Sequence, residues 1–174
     1  MPLRPASAAD LPAVLDMVNL AYRGPVGSRE WASETAYITG ERMTLAMLKT
    51  DLETPGAELL LWSEELGGPM LGCVWLQPVG ADAWYLGMLT VHPDAQERGL
   101  GGVILKAAEA WAAGLGARRV RMTVVNVREG LIAWYQRKGY ALTGETLPFP
   151  YDDERFGKPG RPDLSFVVLE RLLG

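Results

Sequence analysis

The chain has 174 residues, 48% of them apolar, a formal net charge of −4 and a sequence pI of about 5.1. That length suits one domain, residues 1–174, with a core of its own, and the apolar share is too high for a disordered chain. An acidic chain with no block of Lys and Arg lacks the electrostatic footprint of a nucleic-acid binder; it suits a cationic small molecule or a basic protein segment better.

The single cysteine, Cys73, leaves no intrachain disulfide, and its apolar surroundings mark it as a core residue rather than a nucleophile. The start, Met1-Pro-Leu-Arg-Pro5, lacks the apolar stretch of a signal peptide, and no run is long enough to span a bilayer. No membrane role is therefore expected, no metal is implied, and the expected location is cytoplasmic.

Leu3 to Ala6 is expected as a short first strand. Asp10 is placed to N-cap a helix, with Pro12 tolerated in its first turn. Leu11, Val14, Leu15, Val18 and Tyr22 recur at helical spacing until Gly24-Pro25-Val26-Gly27 ends the run. A polar segment carrying Trp31 and Tyr37 leads to a second helix from Arg42 to Leu52. Strands are expected over Glu58 to Ser63, Met70 to Gln77 and Ala83 to Val91, and the short turns between them imply an antiparallel meander. A glycine-rich stretch follows, then a helix from Gly101 to Leu115 whose apolar face is Ile104, Ala107, Ala108, Trp111 and Leu115, with Gly116 at its C-terminal cap. Arg119 to Val125 alternates charged and apolar residues; a strand, a crossover helix and a second strand imply a parallel pair. Glu129 to Lys138 is a short helix. Tyr140 to Thr143 is expected to begin a sixth strand and Leu164 to Leu169 a seventh, with a long loop from Leu147 to Asp163 between them.

The chemistry is concentrated after Val91, in His-Pro-Asp-Ala-Gln-Glu-Arg-Gly-Leu-Gly-Gly. Small residues let the backbone approach a ligand, and the first amides of a helix have no partner inside it and lie at the positive end of its dipole. Together they can cradle a phosphate. A dinucleotide fingerprint is excluded, because Ile104 stands where the third glycine belongs and the turn from His92 to Arg98 is too long. A P-loop is excluded, because no Lys-Ser or Lys-Thr follows the glycines.

What remains, Gln96-x-x-Gly99-x-Gly101, resembles the acyl-coenzyme A pyrophosphate loop of the GNAT superfamily of N-acetyltransferases. Leu131-Ile-Ala-Trp-Tyr135-Gln-Arg-Lys-Gly139-Tyr140 resembles that family's Y-x-x-x-G-F/Y segment, and the order of elements along nearly the whole chain is the family's. The resemblance implies an α/β (α+β) GNAT fold: a mixed, mostly antiparallel seven-stranded sheet flanked by about four helices, with strands four and five parallel and splayed. It implies acetyl-CoA as cosubstrate, its pantetheine against Met88, Leu89, Thr90 and Val91 and its pyrophosphate on the amides of Gln96, Glu97, Arg98, Gly99, Leu100, Gly101 and Gly102. The function implied is transfer of an acetyl group to a primary amine, on a small molecule or a protein, by direct attack in a ternary complex. A CoA-binding regulatory module without turnover, and a GNAT enzyme with another acyl donor, are the alternatives. Homodimers are common in the family and open to this chain.

Deprotonating an amine of pKa near 10.4 at pH 7 costs about 4–5 kcal/mol, so a base or a water relay is expected. The resemblance places Tyr135 at the departing sulfur. Where several members carry a Glu on the fourth strand, this chain has Tyr85, the second catalytic candidate; no carboxylate lies between Ala83 and Val91. Asp152, Asp153 and Glu154 are candidates to supply one, or to bind a cationic acceptor. The family's Asn seven residues before the Tyr is replaced by Arg128, which could contact coenzyme phosphate or cap the strand end; Asn126 is nearby. Candidates for the acceptor pocket are Tyr22, Trp31, Tyr37 and Arg42 from one side, and Phe149, Tyr151 and Phe156 from the other.

Overall fold

Leu59, Leu60, Leu61 and Trp62 are consecutive and all buried, which a strand achieves only when both faces of its sheet are covered. In the computed structural model, which describes residues 3–23, 38–39, 43–151, 158–159 and 161–174, that strand lies inside a seven-stranded sheet. The strands are β1 (Leu3–Pro5), β2 (Glu58–Trp62), β3 (Gly72–Pro78), β4 (Ala83–Val91), β5 (Arg119–Val125), β6 (Ala141–Pro148) and β7 (Ser165–Leu172). Their order across the sheet is β1-β2-β3-β4-β5-β7-β6. Every neighbouring pair is antiparallel except β4–β5, which is parallel. With helices α1 (Leu11–Arg23), α2 (Leu45–Asp51), α3 (Leu100–Gly114) and α4 (Glu129–Arg137), this is the mixed GNAT architecture expected from the sequence.

The helices divide between the two faces. Leu11, Val14 and Val18 of α1 and Leu48 of α2 pack with Leu59, Leu61, Cys73 and Trp75 on one face. Ile104, Leu105, Ala108 and Ala112 of α3 and Tyr135 of α4 pack with Leu60, Val74, Leu76 and Val120 on the other. The alternation of period two along β2 and β3 therefore separates two apolar cores rather than a dry face from a wet one. Gly72 sets how closely α3 approaches: a Cβ there would stand 2.5 Å from Ile104 Cδ1 and 2.7 Å from the Thr90 carbonyl oxygen. A buried charge braces the same face. Glu109 accepts a hydrogen bond from the Tyr140 hydroxyl at 2.7 Å and pairs with Arg171 at 2.9 and 3.0 Å, so the carboxylate buried in α3 is fully partnered.

Several expectations change. Asp10 does not N-cap α1. It closes a 3-10 turn, Ala8–Asp10, as the third residue of a capping box, accepting from the Ser7 amide at 2.7 Å and from the Arg4 guanidinium at 2.8 and 2.9 Å. Strand β6 runs on to Pro148, because Gly144 (φ 87°) carries a bulge after which pairing with β7 resumes at Thr146. The stretch after His92 is a 3-10 helix, Pro93–Arg98, rather than an open loop. The two connections expected as loops meet in a short antiparallel ladder, Ile38↔Pro159 and Thr39↔Lys158. No helix among the described residues is long and apolar enough to cross a membrane.

Candidate active site

Between Cys73 and Trp75, β3 advances two residues while its partner β4 advances three, from Gly87 to Thr90. The extra residue is a bulge, and Met88 takes a positive φ of 50°, a conformation that costs a residue with a side chain about 1–2 kcal/mol. The bulge also breaks the alternation. Leu86 and Leu89 both reach the α3 face, while Met88 turns to the α1 face. Parallel pairing of β4 with β5 stops just before it, at Tyr85↔Arg121. Beyond that point the two strands part around a cavity of about 360 Å³ lined by residues from both faces of the sheet, Tyr22 on one and Tyr135 on the other.

Three tyrosines face this gap. Tyr135 of α4 enters from the α3 face, buried and edge-on to Trp134 and Tyr140 with ring centroids 5.0 and 5.8 Å apart. Tyr22 of α1 enters from the opposite face and donates to the Leu89 carbonyl at 3.1 Å, next to the bulge. Tyr85 lies along its own strand over Gly87, its hydroxyl 3.2 Å from Thr123 Oγ1 on β5. Burial, first of all, pushes the Tyr135 phenol well above its ordinary range; the neighbouring Tyr22 and Tyr85 add to this and Arg128 opposes it. Tyr135 is therefore a hydroxyl donor at neutral pH, and a poorer full proton donor than a free phenol. Among the described residues, no Asp, Glu or His lines the gap.

A second cavity, of about 490 Å³, opens on the α3 side and shares Leu131 with the first. Its walls include Gln96, Gly99, Gly101, Gly102, Trp134 and Arg137 of α4, and Lys138 at the C-cap of α4. Gly99 (φ 73°) ends the 3-10 helix and begins α3, and offers no side chain to cap it. Gln96 donates to the Val91 carbonyl at 3.1 Å, while its Oε1 is buried with no partner. Lys138 Nζ lies 5.3 Å from the Trp134 ring centroid, and a Cβ on Gly102 would come within 2.9 Å of it. This donor set fits coenzyme A chemically. Two cations and uncapped helix amides suit phosphates, the absent Cβ atoms leave room, and the orphaned Gln96 acceptor suits an amide or hydroxyl donor of the coenzyme.

The remaining candidates fall in different places. Met88 and Leu89 line the gap, but Thr90 and Val91 do not. Thr90 hydrogen-bonds back to the Met88 carbonyl at 3.0 Å. Leu100 buries its side chain in the core, so only its backbone faces the loop, and the Arg98 side chain is paired with Glu64. Phe149 lines the gap, stacked on Phe166 at 5.5 Å. Tyr151 does not: its hydroxyl donates to the Arg161 carbonyl at 2.8 Å and accepts from the Leu164 amide at 2.7 Å. Asn126 is likewise committed, to the Asp163 carbonyl at 2.9 Å and the Ser165 amide at 3.0 Å. Arg128 lines the gap rather than the phosphate-side cavity. His92 borders a separate depression beside Met17 and Met70. Trp31, Tyr37, Arg42, Asp152, Asp153, Glu154 and Phe156, with the Glu97 side chain, lie outside the described residues. Sequence reasoning missed Thr123, Trp134, Arg137 and Lys138. The basic pair one turn after Tyr135 was a readable signal; nothing in the strand pattern singled out Thr123.

The family model described as the acetyltransferase (GNAT) family matches residues 25–140. A search of curated proteins gave no match. Among solved structures, a GNAT family acetyltransferase from Elizabethkingia anophelis with acetyl-CoA bound is similar at 17% identity and TM-score 0.67, over 98% of this chain and 97% of that one. A ribosomal-protein-alanine N-acetyltransferase from Brucella melitensis is similar at 22% identity and TM-score 0.67, over 99% and 100%. A chimeric spermidine N-acetyltransferase from Vibrio cholerae and hSSAT is similar at 13% identity and TM-score 0.65, over 98% and 94%. At these identities the likeness extends to the fold alone.

Proposed function

The chain belongs to the acetyltransferase (GNAT) family, and from that premise we propose that it transfers an acetyl group from acetyl-CoA to a primary amine by direct attack across the β4–β5 gap. The observation that carries this reading is the adjacency of two cavities on either side of Leu131. One is lined by uncapped helix amides and two cations, the other lies where β4 and β5 part at a bulge, and Leu131 belongs to both. Acetyl-CoA supplies the activated acetyl thioester when bound.

The chain's own groups have separable roles. The amides from Gln96 to Gly102, with Arg137 and Lys138, hold the diphosphate end; Met88 and Leu89, which line the gap, hold the pantetheine with backbone groups. An amide near Leu89 or Thr90 polarises the thioester carbonyl, as an oxyanion-hole donor does. Tyr135 hydrogen-bonds the departing sulfur. Because its pKa is raised, it relays a proton from nitrogen to sulfur in one concerted movement, without forming a phenolate. The acceptor approaches from the α1 face, where Tyr22, Tyr85 and Phe149 meet it. The acceptor is an amine on a small molecule or a protein, and the site of action is cytoplasmic.

The test is thiol release from acetyl-CoA over a panel of primary amines, with Tyr135→Phe in parallel. Transfer to at least one amine, lost on substitution, is expected. The gap wall without a carboxylate or histidine among the described residues favours one alternative, a coenzyme-binding module. Binding without turnover on every amine would select it. Release that requires a different acyl-CoA would select another donor.

A further inference from the structure

The β4–β5 ladder pairs Tyr85 with Arg121 and then stops. Had it continued, Gly87 would stand opposite Thr123, on the same face as Tyr85 and Arg121. The glycine is what admits the tyrosine ring. A Cβ at residue 87 would lie 2.8 Å from Tyr85 Cε1 and 3.2 Å from its hydroxyl oxygen. The ring thus fills the side-chain space of residue 87, the next position on the same face of its own strand. Its hydroxyl meets Thr123 Oγ1 at 3.2 Å, at the level where the strands begin to part. Both groups line the gap, which no carboxylate or histidine lines among the described residues.

We propose that the Tyr85–Thr123 hydroxyl pair carries the ammonium proton away from the acceptor, and that Thr123 is the positioning residue of the pair. This rests on the acetyl-transfer reading of the site. Either hydroxyl can donate in this contact; the relay uses the arrangement in which Tyr85 donates to Thr123 and the tyrosine oxygen accepts from the acceptor. The acceptor's ammonium proton passes to the Tyr85 oxygen as the Tyr85 proton passes to Thr123 Oγ and the Thr123 proton passes to water. Both side chains end neutral, as they began. The neutral amine then forms the C–N bond, the C–S bond breaks, and the second nitrogen proton reaches sulfur through the Tyr135 hydroxyl. Two hydroxyls thereby do the work of a carboxylate without placing a charge in the gap.

The test compares ethylamine with 2,2,2-trifluoroethylamine, a weakly basic amine that is already unprotonated at neutral pH and needs no relay. With acetyl-CoA as donor, Thr123→Val is expected to lower kcat/KM for ethylamine about 100-fold, and to leave that for trifluoroethylamine within about threefold of wild type, inside the ordinary scatter of a surface-neutral change. Thr123→Ser restores most of the ethylamine rate. On ethylamine, Tyr85→Phe loses as much as Thr123→Val, and the double variant loses no more than either, as groups acting in series do. Acetyl-CoA affinity is unchanged throughout. An equal loss on both amines would assign Thr123 a merely structural role, and no loss on ethylamine would remove it from proton transfer; either overturns the proposal while leaving acetyl transfer intact. If wild type binds acetyl-CoA and acetylates neither amine nor any other, the transfer reading itself falls, and this proposal with it.

Discussion

Replacing Tyr135 by Phe should separate stability from function, with effects of opposite sign. The ring is held edge-on between Trp134 and Tyr140, and Phe keeps that packing. The hydroxyl borders the gap and is not one of the fully buried polar atoms without a partner among the described residues. A fully buried, unpartnered group costs about 1–3 kcal/mol, and exposure to the gap reduces that. The variant should therefore be between neutral and about 1 kcal/mol more stable, a melting temperature unchanged or raised by up to about 4 °C for a chain of this length. The rate should move the other way. Loss of one donor to charge developing in the transition state costs about 100- to 1,000-fold in kcat. The raised pKa adds a pH signature. Tyr135 is protonated in both folded and unfolded chains below about pH 10, its ordinary value, and above it only the unfolded chain ionises. Its contribution is therefore complete below pH 10 and is lost as pH rises beyond it, so Tyr135→Phe should lessen the alkaline loss of stability. Tyr135 should impose no alkaline limb on the wild-type rate below that pH. Thiol-release kinetics at saturating acetyl-CoA, with thermal melts from pH 7 to 11, measure all of this. A kcat within about twofold of wild type, or a melting temperature lowered by several degrees, would refute the reasoning.

Gly102→Val adds a branched side chain where even a Cβ meets the flexible end of Lys138; the fold should tolerate it within about 1 kcal/mol, while calorimetry should find coenzyme A affinity at least about tenfold weaker. Tyr140→Phe removes the 2.7 Å hydrogen bond to buried Glu109 and should destabilise by about 2 kcal/mol, read as a melting temperature about 4–8 °C lower. Cys73 is buried, and burial pushes its thiol up to about 12; the native protein should leave it unreacted with a disulfide reagent at pH 8, and denaturant should release it to react fully.

The sheet was readable where the pattern was local. Ala83 to Val91 has the strand boundaries expected of it, because apolar residues run unbroken between two turn signals. Gln96, Gly99 and Gly101 announced the loop, because small residues before a helix have few other uses. The parting of strands four and five was legible only through family resemblance, and the β4 bulge behind it carried no local signal. Its left-handed residue is Met88 rather than glycine, so no residue type marked it. Beyond Thr143 the strand was not followed, because its pairing with β7 shifts register between Leu142 and Thr146. The role of Tyr151 depended on Arg161 and Leu164, partners that sequence spacing does not specify. Thr123 gained its place only when the ladder opened opposite Gly87, a three-dimensional accident of register.

The central claim is that a diphosphate sits on the start of α3 while a thioester reaches into the β4–β5 gap. Titrating the ¹⁵N-labelled protein with acetyl-CoA and following its amide signals tests this most directly. The account predicts saturable binding with the largest shifts at Gly99, Gly101 and Gly102 and a second group at Met88 and Leu89. No shift at millimolar acetyl-CoA, or shifts confined to other parts of the sheet, would contradict it.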